Sequence, residues 1–239
     1  MFPENGQKMA LKTEAGEEII VRMEVNPRAR RLILRLDERA REAVAVAPHP
    51  RQIPAAAAFA AERVDWIASR LAAAPAVMPF EPGGHFPLRG EPCRLSLDGP
   101  GNVARLHTRP ERVLCAPGAP ETFASRVARY LKKAAMADIS DAVERHASTL
   151  GVSVARITVK DTRSRWGSCT RDGRLSFSWR LVCAPPEVLD YVAAHETAHR
   201  LEMNHSPAFW AHVAQCRPDW KRQRAWLRRH GPELHAVGG

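Results

Sequence analysis

The spacing of hydrophobic positions predicts short strands and one helix in the first half of the chain. The apolar residues of these strands alternate with polar ones and are bounded by turn signals such as Asn26-Pro27. The alanine-rich segment 53–71 has apolar side chains near helical spacing, which predicts a helix. The predicted strands are 18–25, 30–36, 44–47, 93–97, 104–108 and 112–115.

Helical spacing dominates the second half of the chain, beginning with a long amphipathic helix at 123–150. Asp172-Gly173 lies between two β-rich segments, 163–170 and 174–182, and predicts a two-residue hairpin. Ser206-Pro207 has the pattern of an N-cap followed by proline at the first helical position. The later helices are predicted at 187–203, 207–216 and 220–230.

Strands that precede most of the helices indicate an α+β fold. Five prolines between residues 75 and 92 mark one candidate domain boundary, and Pro117-Gly118 marks a second. We place the boundary at the second. This gives an N-terminal β-rich module with one helix at 1–117 and a catalytic domain at 118–239.

Composition narrows the class of protein. The chain has 239 residues and a formal net charge of +10, which favours anionic partners. No run of about 18 apolar residues is present, so we expect no membrane span. The five cysteines form no CxxC pair, which argues against a disulfide framework and favours a cytoplasmic location.

The candidate chemistry lies in the run His195-Glu196-Thr197-Ala198-His199. Two histidines four residues apart share one helical face, so their imidazoles can bind one Zn²⁺, and Glu196 is placed to act as general base. The simpler alternative is that both histidines lie on a helix and make surface contacts only, without binding a metal. A catalytic zinc needs a third protein ligand, and His205 follows the predicted helix end. Other candidates, which need a larger loop, are His212, Asp219 and Glu233.

Further motifs flank this run. They are Arg165-Trp166-Gly167-Ser168-Cys169, Ser178-Trp179-Arg180-Leu181-Val182, HETAHRLEMNHSPAFW at 195–210 and Pro218-Asp219-Trp220. With these motifs the chain resembles the YgjP-like metallopeptidase family, which is related to the SprT-like zincins. The resemblance is strong over 149–230 and weaker in the N-terminal half.

The resemblance implies a zincin-like metallohydrolase domain in which His195, His199 and His205 hold Zn²⁺ and Glu196 is the general base. Thr197 stands where a bulkier apolar residue is more usual, which concerns local packing rather than ligation. Proteins of this family are described as metal-dependent hydrolases, and some are named UTP pyrophosphatases. The resemblance therefore indicates the metal more strongly than the substrate.

The predicted hairpin suggests a substrate-binding edge beside the metal. Paired outward from its turn, Trp166 is expected opposite Trp179, which puts Gly167 on a small polar face between two cations. Gly167 would allow an extended substrate to approach closely. Arg165 or Arg180 would stabilise an anionic group or a developing oxyanion. The simpler interpretation is that both are solvated strand arginines.

Positive charge is concentrated in two clusters, each of which could neutralise phosphates of a nucleic acid. The simpler interpretation is two solvated faces. The clusters are Arg22, Arg28, Arg30, Arg31, Arg35, Arg39 and Arg41 near the N-terminus, and Lys221, Arg222, Arg224, Arg228 and Arg229 near the C-terminus.

We therefore expect a zinc metallopeptidase acting on a peptide or protein. The first alternative is a metal-dependent pyrophosphatase acting on a nucleotide such as UTP. Neither a Walker A sequence nor a carboxylate cluster for Mg²⁺ supports it. The second alternative is a nucleic-acid-associated protein with a structural zinc, which a fourth protein ligand would favour.

Overall fold

A computed structural model describes the chain at residues 4–37, 40–162 and 165–239. Short sheets combine with helices, so the expected α+β class with a β-rich N-terminal part is confirmed. The chain divides into two compact units, Met1–Ala76 and Val77–Gly239. This division differs from the expected boundary after residue 117, because the strands between 85 and 115 share a core with the helices that follow them.

The first unit is a four-stranded sheet with two helices in its described part. The order is β1-β2-β4-β3, with β2 and β4 parallel and the outer pairs antiparallel. The predicted helix 53–71 is interrupted at Glu62-Arg63, and the edge strand β1 was not predicted. The elements are β1 (Lys8–Lys12), β2 (Glu18–Val25), β3 (Ile33–Asp37), β4 (Glu42–Ala47), α1 (Ile53–Ala61) and α2 (Val64–Ala73).

Ion pairs across this sheet engage part of the N-terminal basic cluster. Glu42 is 3% exposed and lies between Lys8 Nζ at 2.6 Å and Arg22 Nε at 2.8 Å. Arg35 Nη2 lies 2.5 Å from a carboxylate oxygen of Glu24. Two of the seven arginines are therefore engaged within the sheet, and Arg39 lies outside the described residues.

The second unit begins with a mixed sheet of order β5-β6-β8-β7 and the long helix α3. Helix α3 matches the predicted bounds and buries one apolar stripe, which includes Phe123, Val127 and Leu131. It ends at Gly151, whose φ of +65° suits the left-handed C-cap. The elements are β5 (His85–Leu88), β6 (Glu91–Ser96), β7 (Arg105–His107), β8 (Val113–Cys115) and α3 (Phe123–Leu150).

A three-stranded sheet and three helices complete the second unit. The sheet order is β10-β11-β9, and the pair β9–β11 is parallel. Among the described helices, none is long and apolar enough to cross a membrane. The elements are β9 (Arg156–Lys160), β10 (Gly167–Cys169), β11 (Arg174–Ser178), α4 (Pro186–Ala198), α5 (Pro207–Cys216) and α6 (Trp220–His235).

The hairpin register differs by one residue from the predicted one. Gly167 pairs with Phe177 and Cys169 pairs with Leu175. The loop has three residues rather than two, because the Thr170 amide donates to the Arg174 carbonyl and only Gly173 has positive φ. A one-residue shift moves side chains to the opposite face, so Gly167 shares a face with core residues.

Asp190 links helix α4 to its neighbours. His146 Nε2 lies 3.1 Å from its Oδ1, Arg145 Nη2 donates to the same oxygen at 2.8 Å, and Arg217 Nη1 donates to Oδ2 at 3.1 Å. Burial opposes ionisation of Asp190, but these partners outweigh it and hold the pKa of the carboxyl below its usual value. One carboxylate therefore joins α4 to α3 and to the end of α5.

We expect Asp190→Asn to lower the free energy of unfolding by about 1–3 kcal/mol at pH 7, because cationic partners lose their charge-assisted acceptor. A carboxyl whose pKa is lowered by folding stabilises the native state above its ordinary value and loses that effect as pH falls through its folded-state pKa. The difference from wild type should therefore shrink below about pH 4. Denaturant unfolding at several pH values measures this.

Glu144→Gln on the exposed side of α3 is the matched control, since Glu144 has no such partners among the described residues. Equal effects of the two substitutions at pH 7, or a difference from wild type that does not shrink as the pH is lowered below about 4, would contradict the role given to Asp190.

Candidate metal centre

Three histidines converge where α4 ends. One ring nitrogen from each of His195, His199 and His205 lies within 4.8 Å of the other two. The Nε2 atoms of His195 and His205 are 3.1 Å apart. Ligands on one tetrahedral zinc at about 2.0–2.1 Å are about 3.4 Å from each other, so this separation suits a shared cation.

The turn after α4 brings His205 to the other two histidines. The helix ends at Ala198, five residues before the predicted end, and the chain turns there. The Ser206 hydroxyl then accepts a hydrogen bond from the Phe209 amide at 3.2 Å and caps α5, as Ser206-Pro207 predicted. His205 therefore lies between a helix end and a helix cap.

The protonation of the imidazoles suits metal binding. His199 Nδ1 lies 3.0 Å from the Glu202 carbonyl, to which it donates, so its Nε2 is left as the ligand atom. Burial lowers the pKa of His195 to about 3, and the two neighbouring histidines and Arg224 act in the same direction. Burial also lowers the pKa of His199. Both rings are neutral at neutral pH, the form that binds metals.

The ring of Phe209 packs against all three histidines of the cluster. Its ring centroid is 4.9 Å from that of His195, 4.5 Å from His199 and 4.8 Å from His205. Phe209 is fully buried. Its position in the first turn of α5, after the cap at Ser206-Pro207, turns its ring inward beneath the histidines.

Glu196 is buried beside the histidines, with 5% of its surface exposed. None of the described residues donates a hydrogen bond to its carboxylate. Burial raises the pKa of Glu196 to about 8, while the positive charge of Arg165 acts in the opposite direction. A carboxyl with a pKa near neutrality can both accept and return a proton there.

Gly167 provides the space for that carboxyl. A Cβ atom at position 167 would lie 2.5 Å from both Cγ and Oε1 of Glu196. Real Cβ contacts are not this short, so any side chain here would displace the Glu196 side chain. The sequence predicted that a substrate could approach Gly167 closely. In the structure the group that approaches Gly167 is the Glu196 side chain, and the observed hairpin register allows this contact.

The two arginines suggested by the sequence have different positions. Arg165 is exposed, and its charge acts on Glu196. Arg180 is 4% exposed, pairs with Asp161 and donates from Nε to the Val237 carbonyl at 3.0 Å. The structure therefore places the Arg180 guanidinium inside the second unit, engaged by Asp161 and Val237, and not on the exposed edge where a substrate contact is expected.

The other candidate ligands lie outside the cluster of donor atoms. Among the described residues, the only group of donors close enough to share an ion is that of the three histidines. Asp219 accepts from Arg217 and Gln223, and Glu233 lies 3.1 Å from His230. His212 is not among the converging donors.

Three imidazoles converging on one point, with a buried carboxyl beside them, define the metal-dependent hydrolase class. The sequence matches the model of the YgjP-like metallopeptidase domain over residues 30–230, and the chain belongs to that family.

Comparison with other proteins adds little to this assignment. No curated protein sequence matches the chain. Among solved structures, it is similar to the crystal structure of the metallopeptidase zymogen of Pyrococcus abyssi abylysin, with a TM-score of 0.35 and 18% identity. That match covers 38% of this chain and 93% of the other. A likeness of this size carries no argument about the site.

We expect Gly167→Ala to reduce hydrolytic activity by about 100-fold, the scale on which a misplaced catalytic group acts. The added methyl displaces Glu196 but leaves the three histidines, so metal content should stay that of wild type. Steady-state kinetics and metal analysis of the same samples measure both.

Gly231→Ala is the matched control, because an added Cβ there meets the ring of Trp166 at the ordinary distance of 3.4 Å. Alanine also suits the interior of α6 better than glycine. Wild-type activity in Gly167→Ala, or loss of metal from it, would contradict the role given to Gly167.

Proposed function

We propose that the protein is a zinc-dependent peptidase that hydrolyses amide bonds of peptides or proteins. The observation that carries the proposal is the buried carboxyl of Glu196, to which none of the described residues donates a hydrogen bond, beside three converging imidazoles. Perturbed acids next to metal-ligating groups are typical of active sites. His205 is exposed, so the cluster is open to solvent on one side.

The donor set favours zinc as the metal. Imidazole nitrogens suit Zn²⁺, whereas Mg²⁺ and Ca²⁺ prefer oxygen ligands. His195, His199 and His205 would hold the ion and leave one position open, which is the ligand count of a catalytic zinc. When bound, the ion supplies Lewis-acid chemistry that makes water acidic near neutral pH and polarises the substrate carbonyl.

The residues of the chain then handle the proton and the developing charge. Glu196 takes a proton from the attacking water, holds it in an environment that favours the neutral acid, and returns it to the leaving amine. Because Gly167 has no side chain, the Glu196 carboxyl can occupy its position beside β10. Arg165, exposed beside this carboxyl, is placed to stabilise negative charge on the substrate oxygen.

An extended peptide fits the edge of the sheet beside the site. Strand β10 is an edge strand, since among the described residues it pairs with β11 alone. Its outer backbone groups can add a substrate strand by β-augmentation, next to Glu196.

The five cysteines are free thiols, which supports a reducing compartment such as the cytoplasm.

We expect Glu196→Gln to retain stoichiometric zinc and to lose at least about 100-fold of the hydrolysis of an unfolded protein, because the proton acceptor is gone while the ligands remain. Zinc is measured by elemental mass spectrometry, and cleavage by release of new amino termini. UTP is tested in parallel.

Glu187→Gln, an exposed change in the first turn of α4, should behave like wild type. Hydrolysis of UTP alone would replace the proposal with a pyrophosphatase. Zinc bound without any hydrolysis would favour the structural-zinc alternative, and a wild-type protein that binds no metal would end the proposal.

A further inference from the structure

An aromatic surface extends outward from the metal centre. The Trp210 ring stacks beside His205, with centroids 5.8 Å apart and planes at 28°. Trp220 stacks on Trp210 at 4.1 Å and 16°. Both indoles are only half-buried, so this stack forms part of the accessible surface next to an exposed imidazole.

The guanidinium of Arg224 lies over this surface, with its Cζ atom 5.0 Å from the Trp210 ring centroid. Within the described residues, no carboxylate lies within 4 Å of it, in contrast to Arg22 and Arg35 in the first unit. Arg22 and Arg35 are thus paired with carboxylates inside their own unit, whereas no carboxylate among the described residues pairs with Arg224.

Arg224 also opens onto a cavity of about 250 Å³. Two further cations on the same side of α6 share it, and none of the lining residues is acidic. The lining residues are Trp220, Lys221, Arg224, Ala225 and Arg228. Small-molecule sites usually occupy about 300–1,000 Å³, so a space of this size suits one side chain better than a whole nucleotide.

Arg224 lies close to the metal centre through the ring of Trp210. The centroid of that ring is 5.7 Å from the His195 centroid and 5.8 Å from the His205 centroid, and Arg224 lies over the same ring. Tyr191 lies one helical turn before His195, with ring centroids 6.0 Å apart. Arg224 is therefore near enough to act on a substrate bound there.

We propose that Arg224, with Lys221 and Arg228, forms a substrate subsite that binds an acidic side chain of a peptide close to its scissile bond. This inference rests on the proposed peptidase function and specifies its substrate class. The planar guanidinium can bind a carboxylate through two parallel hydrogen bonds, and the indole beneath it holds the guanidinium in place. The Trp210 centroid lies 5.8 Å from that of His205, and Arg224 Cζ lies 5.0 Å from the Trp210 centroid. Because an extended peptide rises about 3.3 Å per residue, the guanidinium lies within about three residues of the cleaved bond.

The preference can be measured with quenched fluorescent peptides that carry Glu or Gln at each of three positions on either side of the scissile bond. At one position, wild type should cleave the Glu peptide at least about 10-fold more efficiently in kcat/KM, the size of a charge-assisted hydrogen bond. Arg224→Gln should bring that Glu/Gln ratio close to one. Arg222→Gln removes the same charge from the same helix away from the cavity and should keep the wild-type ratio.

Charge reversal makes the test more specific, since Arg224→Glu should lower the Glu/Gln ratio below that of Arg224→Gln at the position where wild type prefers Glu. A wild-type ratio near one at all positions would overturn the proposal. An equal loss of preference in Arg224→Gln and Arg222→Gln would also overturn it, because it would indicate the overall field of the basic helix rather than a subsite.

Binding separates this inference from the peptidase proposal. In zinc-loaded Glu196→Gln protein, the Glu peptide should quench tryptophan fluorescence at concentrations at least about 10-fold lower than the Gln peptide, and adding Arg224→Gln should remove the difference. This result would support the subsite even if wild type cleaved none of the peptides. Equal binding of the two peptides, or binding of UTP alone, would overturn it.

Discussion

The arrangement of the site depends on one constraint: a carboxyl group is buried where none of the described residues donates a hydrogen bond to it. Removing an ionised carboxylate from water is costly unless a cation or hydrogen bonds compensate for it. Glu196 meets that cost either by keeping its proton, with a pKa of about 8, or by facing a positive ion held by the neighbouring imidazoles. This constraint requires α4 to lie close to β10, and only glycine at position 167 permits that approach.

The surrounding structure holds both sides of that contact in place. On one side, Asp190 ties α4 to α3 and to the end of α5 through three cationic or imidazole groups. On the other, Trp166 precedes β10 and stacks on His235 of α6 at 4.2 Å. Because α6 also carries Arg224, one helix supports the hairpin and places a guanidinium over Trp210, beside the histidines.

Local signals in the sequence predicted the parts of the structure that depend on few neighbours. The amphipathic spacing of 123–150 matches α3, and Ser206-Pro207 does cap α5. The histidine motif predicted three side chains that the structure brings together, because helix periodicity and a following turn are short-range properties. The predicted hairpin register was wrong, because the register depends on a loop conformation that Asp-Gly alone does not determine. The position of Arg180 depends on Asp161 and Val237, which are distant in sequence, so no local pattern could indicate it.

The central claim is that His195, His199 and His205 alone hold the metal beside Glu196 and leave one position open. X-ray absorption at the zinc edge of the stoichiometrically loaded protein tests it most directly, because it counts the ligands and identifies their chemistry. We expect three imidazole nitrogens at about 2.0–2.1 Å with one light-atom ligand from solvent, and two imidazoles in His205→Ala. A thiolate sulfur at about 2.3 Å, a fourth imidazole, or an unchanged imidazole count in His205→Ala would contradict the account.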